Sequence, residues 1–321
     1  MDLQETFTTL WTGLGWPLTR LVFFVSLGLL VANVLETLNW TRKMAVLAAP
    51  LIRVGRLSDI AGASFSMAFF SGVAANAMLA ESYDQGRIDK KELILANLFN
   101  SLPTYFLHLP TLFFLAAPLI KGAAFIYVGL TLFSAFLRTA TIVLLGHLFL
   151  PDRDEGCITC QLETNSETDW RAALTKSWRR FKKRITKILL FTVPIYIGFF
   201  FLNEYGLFGE LEQLISQHVS FLSWLHPESL SIIVFHLGAE FAAGLAAAGA
   251  LLAAGTLDYR EIVLALLVGN VLSSPIRAVR HQFPYYAGIF SPRLALELIF
   301  YNQSFRMGSI IVVGIGYFFL S

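Results

Sequence analysis

Gly86-Arg87-Ile88-Asp89-Lys90-Lys91-Glu92-Leu93-Ile94-Leu95-Ala96-Asn97-Leu98 returns later in the same chain as Gly255-Thr256-Leu257-Asp258-Tyr259-Arg260-Glu261-Ile262-Val263-Leu264-Ala265-Leu266-Leu267. Gly, Asp, Glu, Leu, Ala and the final Leu recur in register, and most other positions exchange like for like. Each copy follows a long apolar segment and runs into an Asn and then a Pro: Asn100 and Pro103, then Asn270 and Pro275. A doubled apolar unit broken by proline is the pattern of membrane folds in which broken helices of two halves meet at a central site.

Composition points the same way. Hydrophobic residues fill 56% of 321 positions, charged residues only 14%, and Phe alone occurs 29 times. A soluble domain carries roughly a quarter charged residues. The net charge of +2 gives no footprint for nucleic acid. Six stretches approach the ~20 apolar residues needed to cross a bilayer: Leu21–Leu38, Ile60–Leu79, Gly122–Leu150, Ile185–Leu202, Leu230–Ala254 and Leu294–Leu320. Regions 92–119 and 261–290 are interrupted by Asn, Pro, His and Arg and read as re-entrant hairpins. Segments 43–54 and 209–224 have apolar faces with polar flanks and read as helices lying in the interface. The start, Met1-Asp2-Leu3-Gln4-Glu5, lacks the basic region of a signal peptide, so the first span is expected to be retained.

Basic residues beside membrane spans mark the cytoplasmic side. Arg171, Lys176, Arg179, Arg180, Lys182, Lys183, Arg184 and Lys187 lie in or beside the link between the halves, and Arg42, Lys43, Arg53 and Arg56 follow the first span, so both regions are placed inside. Region 203–229 has no Lys or Arg and carries Glu204, Glu210, Glu212 and Glu228, which places it outside. Equivalent loops facing opposite sides predict an all-α polytopic membrane protein of two inverted repeats. Each repeat has about three transmembrane helices, one interfacial helix and one re-entrant broken hairpin. The first spans residues 1–150, a basic cytoplasmic linker 151–183, and the second 184–321. Parallel halves with one kinked crossing at each interrupted region are the alternative. In the inverted reading Arg87, Lys90 and Lys91 fall outside, balanced by Glu81, Asp84, Asp89 and Glu92.

Irregular backbone at bilayer depth survives where protein or a water-filled cavity satisfies it, so the interrupted regions are where a site is expected. Each Pro is read as restarting a half-helix, with its free amides facing the hairpin tip. Arg277, Arg280 and His281 share one face at helical spacing. A charge at bilayer depth costs about 2.5–3.5 kcal/mol on insertion scales, so two arginines on one stripe ask for a reason. One reading is a site for a phosphate or carboxylate; the other is a structural pair held by Glu240, Glu297 or carbonyls. Asn100 and Asn270 are expected to hold backbone at the two tips, and His108 to line the site or to be a satisfied buried histidine. Glu240, His236 one turn before it, and Asn76 in the matching stretch of the first half are the candidates for coupling or gating. Asn302, Gln303, Arg306 and Arg138 fit either the site or helix packing. Cys157 and Cys160 form a lone CxxC; a structural zinc needs four ligands, so the pair is a weak metal candidate and a solvated loop is the simpler reading. No nucleotide-hydrolysing motif, nucleophile elbow or HExxH occurs, and neither an enzyme nor a cofactor is expected.

Ser71-Gly72-Val73-Ala74-Ala75-Asn76-Ala77-Met78-Leu79-Ala80-Glu81, Asn100-Ser101-Leu102-Pro103-Thr104-Tyr105, and Pro275-Ile276-Arg277-Ala278-Val279-Arg280-His281-Gln282-Phe283-Pro284 resemble bacterial membrane proteins with the nucleoside-recognition, or gate, domain. That family includes concentrative nucleoside transporters, the membrane part of ferrous-iron transporters and spore-maturation membrane proteins. The resemblance covers nearly the whole chain as two gate-like halves. It implies a multi-pass protein of the bacterial inner membrane, a transporter or permease of a small anionic or nucleoside-like solute, and homo-oligomerisation. Departures from the family are the missing GTPase domain and the Arg-Arg-His cluster, which a neutral nucleoside leaves unpaired. A membrane assembly or signalling component without transport of its own is the alternative.

Overall fold

In the structure, a computed structural model, the repeated motif becomes one local geometry built twice. The residues described are 3–16, 48–151, 224–239 and 241–321, with scattered positions between 18 and 26 and between 174 and 201; Arg280, His281, Pro284 and Tyr285 are described in backbone only. The glycine of each motif ends a helix in the left-handed region, at φ 69° for Gly86 and 71° for Gly255. Arg87 N–H donates to Ser82 O and Gly86 N–H to Tyr83 O; Thr256 N–H donates to Leu251 O and Gly255 N–H to Leu252 O. This paired bonding is the Schellman stop. Three residues on, the aspartate caps the next helix: Asp89 accepts from the Glu92 N–H at 2.7 Å, and Asp258 from the Glu261 N–H at 2.8 Å. Ile88 and Leu257, between stop and cap, are buried at 4% and 3% exposure and pin the turn to the protein. No atom lies within 4 Å of a methyl placed on either glycine, so Gly86→Ala and Gly255→Ala are each expected to cost about 1 kcal/mol of backbone strain alone, checked by thermal unfolding in detergent.

The helices are α1 (Leu3–Leu10), α2 (Ala48–Val54), α3 (Asp59–Ala68), α4 (Gly72–Asp84), α5 (Lys90–Phe99), α6 (Ser101–Ile120), α7 (Gly122–Phe149), α8 (Ser229–Ala239), α9 (Phe241–Ala253), α10 (Tyr259–Arg277), α11 (Phe283–Ala287) and α12 (Pro292–Leu320). No strand occurs among the described residues. Among the described residues four helices are long and apolar enough to cross a bilayer: Lys90–Ile120, Gly122–Phe149, Tyr259–Arg277 and Pro292–Leu320.

Two expectations are corrected. Ile60–Leu79 and Leu230–Ala254 are not single crossings. Each folds back on itself: Ser64 Oγ, in α3, donates to Ala75 O, in α4, at 3.2 Å, and a side-chain carbon on Gly244, in α9, would sit 3.2 Å from Ile232 O, in α8. Residues eleven or twelve apart on one helix lie ~16–18 Å apart, so α3–α4 and α8–α9 are helical hairpins. Ser71, extended at φ −157°, restarts the first by accepting from the Ala74 N–H. Conversely, 92–119 and 261–290 are not hairpins. Lys90–Ile120 runs through as one long bent helix, and α10 continues through a π-turn at Ala278–Gln282 into α11, with Phe283 N–H donating to Ala278 O. Pro103 sits in the first turn of α6, as a restart requires, whereas Pro275 lies inside α10.

The long helices share two ends. Lys90 pairs with Glu297 at 2.7 Å, and His147 Nδ1 lies 3.0 Å from Val54 O, so the starts of α5 and α12, the end of α7 and α2 lie together. At the other end Tyr259 approaches Gly122 to 2.7 Å from where a side-chain carbon would sit, and Arg260 donates to Phe318 O at 3.0 Å. The path α5–α6 and the path α10–α11 therefore run in opposite directions. Glu297, one of the expected partners of the arginines of 277–281, is held by Lys90. Expected spans 21–38 and 185–202, interfacial segment 209–224, the basic linker, Cys157, Cys160 and Glu240 lie wholly or mostly outside the described residues.

Candidate functional site

Between the hairpins and the long helices lies a cavity of about 630 Å³. Gly72 and Val73 reach it from the turn of the first hairpin and Phe241 from the turn of the second. Its walls come from the bend of α5–α6, the middle of α7, the π-turn after α10 and the middle of α12. Asn76, Asn100, His108, Asn270 and Arg277, expected at the site, all line it, as do Arg138, Arg306 and Asn302. His236 does not. It is 1% exposed, packed between Gly244 and Gly269 and edge-on to Phe241 at 5.4 Å between ring centroids. That places it behind the wall, where it backs the aromatic ring that faces the cavity. Gln303 likewise stands behind Gln282, to which its amide donates at 2.6 Å. The side chains of Arg280 and His281 lie outside the description.

Two hydrogen-bond networks stand out in the lining. The first joins the α3–α4 hairpin to α5 and α11. Asn97 Nδ2 donates to Asn76 Oδ1 at 2.8 Å and to the Tyr286 hydroxyl at 3.2 Å. Asn100 Nδ2 donates to Ser64 Oγ at 2.6 Å, and Ser64 donates in turn to Ala75 O. All of these groups are neutral and buried. Buried amides without partners are costly; here Asn76, Asn97 and the amide nitrogen of Asn100 find partners that tie the long helix to the hairpin.

The second network is cationic and centres on Asn270. Its Nδ2 donates to the Tyr127 hydroxyl at 3.0 Å, and its Oδ1 accepts from Arg277 Nη2 at 2.8 Å and Arg306 Nη2 at 3.2 Å. Arg277 also donates to Ser274 Oγ and Asn270 O. Arg306 is positioned through its own carbonyl, which accepts from Ser309, itself bonded to Ser134 of α7. One turn beyond Ser134, Arg138 is 8% exposed and makes no hydrogen bond or ion pair; its Nε is wholly enclosed without a partner. Among the described lining residues there are three guanidinium groups and no carboxylate. A single amide oxygen offers only a partial charge to two arginines, so this contact orients the cations. Rigid guanidinium forks are suited to bidentate contact with carboxylate or phosphate.

Asn100 N–H donates to Ala96 O at 3.0 Å, closing α5, and Thr104 N–H donates to Asn100 O at 3.2 Å, opening α6, so the helix stops and restarts at Asn100. Among the described residues no three of His, Cys, Asp and Glu come together to hold a metal. Sequence reasoning missed Asn97, Tyr105, Tyr127, Thr131, Gln282 and Tyr286, which line the cavity. For Arg138 the signal was present: it is the one Lys, Arg, Asp or Glu in the 28 residues of α7.

No family model matches the chain, and no solved structure matches it. Among curated proteins the chain is similar to three from the archaeon Methanocaldococcus jannaschii, each named only as an uncharacterized protein. One is 24% identical over 291 residues, covering 90% of this chain and 89% of the relative. The second is 26% identical over 308 residues, covering 94% of each. The third is 24% identical over 296 residues, covering 89% of this chain and 92% of the relative. The similarity runs along nearly the full length of this chain and of each relative.

Proposed function

We propose that the protein is a permease for a small anionic solute, bound in the cavity between the two hairpin turns. The observation that carries this reading is Arg138, Arg277 and Arg306 around one 630 Å³ space with no carboxylate among its described lining residues. Cations at bilayer depth are retained where they serve a pathway or a ligand. A cavity of several hundred Å³ suits a small metabolite. A non-transporting assembly component has no use for such a space, and a complete Arg–Glu network filling it is what that role predicts.

The architecture we assign is a pair of inverted repeats in the cytoplasmic membrane, with Ser58–Asp84 and Ser229–Ala253 as the re-entrant hairpins. Three features support it: the repeated stop-and-cap motif, the element order hairpin, bent long helix, long helix in both halves, and the opposite directions of α5–α6 and α10–α11. Moving the hairpins also moves Arg87, Lys90 and Lys91 to the cytoplasmic side together with Arg53, Arg56 and the basic linker, in accord with the positive-inside rule. The acidic segment 203–229 then faces outward.

The test is thermal unfolding of detergent-purified protein against inorganic phosphate, small carboxylates, organic phosphates and neutral nucleosides, followed by uptake of any binder into proteoliposomes. A ligand at a hundred times its Kd stabilises by about 2.7 kcal/mol. Stabilisation and uptake confined to anions are expected. Nucleosides acting as strongly as anions overturn the charge assignment, and folded protein that responds to none of them is an assembly component.

A further inference from the structure

We infer that the solute carries a doubly charged oxyanion head, as a phosphate monoester does, and that Arg138 and Arg306 receive this head together. The inference rests on the anionic reading of the cavity and adds to it the charge and shape of the head.

The packing of α7 against α12 brings the two arginines level. These helices run in opposite directions, since the end of α7 and the start of α12 lie together. Ser134 Oγ, in the middle of α7, donates to Ser309 Oγ of α12 at 2.9 Å and fixes their register. Arg138 follows Ser134 by four residues and Arg306 precedes Ser309 by three. Each arginine therefore lies about one turn from that bond, roughly 4.5–6 Å along the axis, on the same face and toward the same end. The two guanidinium groups act electrostatically on each other and on the Tyr105 hydroxyl, and all three residues line the cavity.

Both cations face open space. Arg138 makes no hydrogen bond or ion pair, yet only its Nε is enclosed; the terminal nitrogens, equally without a partner, open to the cavity. Arg306 donates through Nη2 to the neutral Asn270 Oδ1, and none of its nitrogens is both enclosed and unpartnered. Among the described residues no carboxylate pairs with either arginine or acts on its charge. Arg277 differs, because its Nη2 already donates to Asn270 O, Asn270 Oδ1 and Ser274 Oγ on its own helix.

Two cations at bilayer depth without a counter-charge determine the charge of what they bind. A head with one negative charge offsets one guanidinium and leaves the other desolvated and unpaired, which is costly. A carboxylate also presents its two oxygens in one plane, the match for a single fork. A phosphate monoester carries about −1.5 to −2 charge at pH 7 and three terminal acceptor oxygens, so it accepts from forks that reach it from two helices. The volume supplies the ester. A water occupies ~30 Å³ in the liquid, a phosphate head is only a few times that, and 630 Å³ leaves most of the space to an organic body attached to it.

The experiment separates charge from shape. Propyl phosphate and propyl sulfate share a tetrahedral head and a chain but differ by one charge at about pH 8. Their binding to the full-length protein is measured by titration, with inorganic phosphate and succinate alongside. Propyl phosphate is expected to bind about 10- to 100-fold tighter than propyl sulfate, the effect of one further charge-assisted contact, and tighter than the other two probes. Arg138→Ala is expected to bring the two esters within about three-fold by weakening the phosphate ester alone. Should that variant not fold, the comparison of the two esters on the unaltered protein still decides the charge of the head. Equal binding of the two esters overturns the inference and leaves the anion site standing. A preference that survives Arg138→Ala overturns the assignment to the α7–α12 pair. Succinate binding tighter than propyl phosphate overturns the single head in favour of two separate carboxylates, and inorganic phosphate binding tighter overturns the ester. No binding by any of the four probes overturns the anionic reading itself.

Discussion

Arg138→Ala is expected to weaken binding of the anionic solute about 10- to 100-fold while leaving the protein as stable as before, or more stable. The first effect is the loss of one charge-assisted contact, about 1.5–3 kcal/mol. The second follows from isolation: Arg138 is 92% shielded, shares its cavity with Arg277 and Arg306, and has no bond to lose. Removing an uncompensated cation from bilayer depth relieves a cost, as expected where a site is held in a strained state for function. Arg277→Ala differs, because that side chain also ties Ser274 to Asn270 across the end of α10, so binding and stability fall together. Ligand titration and thermal unfolding of the two variants, measured side by side, check the contrast. Lost stability in Arg138→Ala makes that arginine a packing element and removes it from the site.

Glu92→Ala is expected to cost about 2–4 kcal/mol of stability, several times the loss from Glu261→Ala, although the two glutamates hold the same place in the repeat. Glu261 closes an ordinary capping box at the surface, its carboxylate accepting from the Asp258 N–H at 2.9 Å; such a cap contributes about 1 kcal/mol. Glu92 is 0% exposed and reaches across to another helix, accepting from the Ser58 N–H at 3.1 Å. Ser58 caps α3 through its own hydroxyl, so this carboxylate joins the entrance of the hairpin to the entrance of the long helix. Its loss leaves a buried amide unpaired and empties a buried site, two of the larger penalties known. Equal losses in the two variants, read by thermal unfolding, exclude a special role for the Ser58 contact.

The local devices were legible from the residues. Gly, then Asp three positions on, is a stop and a cap in both copies, each decided within a single turn of chain, whereas the Glu three further closes a capping box only in the second copy. That is why the stop and the cap read the same in sequence and in structure, while the glutamates differ. Cavity-lining residues of strong polar character were legible too: Asn100, Asn270, Arg277, His108 and Asn76 are polar in apolar surroundings and line the cavity, because a polar group at bilayer depth settles where water or a partner reaches it.

Tertiary structure alone decided which apolar stretches cross and which turn back. Hydropathy counts apolar residues, and twenty of them score alike as one helix or as two helices of ten. Ile60–Leu79 and Leu230–Ala254 became hairpins because packing buries them: Phe65 lies 4.2 Å from Phe99 between ring centroids, and Leu245, Ala246 and Ala247 are wholly enclosed. Surrounded by other helices, a turn at mid-depth can be satisfied by protein instead of facing lipid. The interrupted stretches 92–119 and 261–290 could stay long helices for the complementary reason, since their Asn, Ser and Arg side chains face a cavity. The meeting of Arg138 with Arg306, from helices 168 positions apart in the chain, was invisible to any local pattern. It depends on α7 packing against α12, and long-range packing is a property of the whole fold, not of a window of sequence.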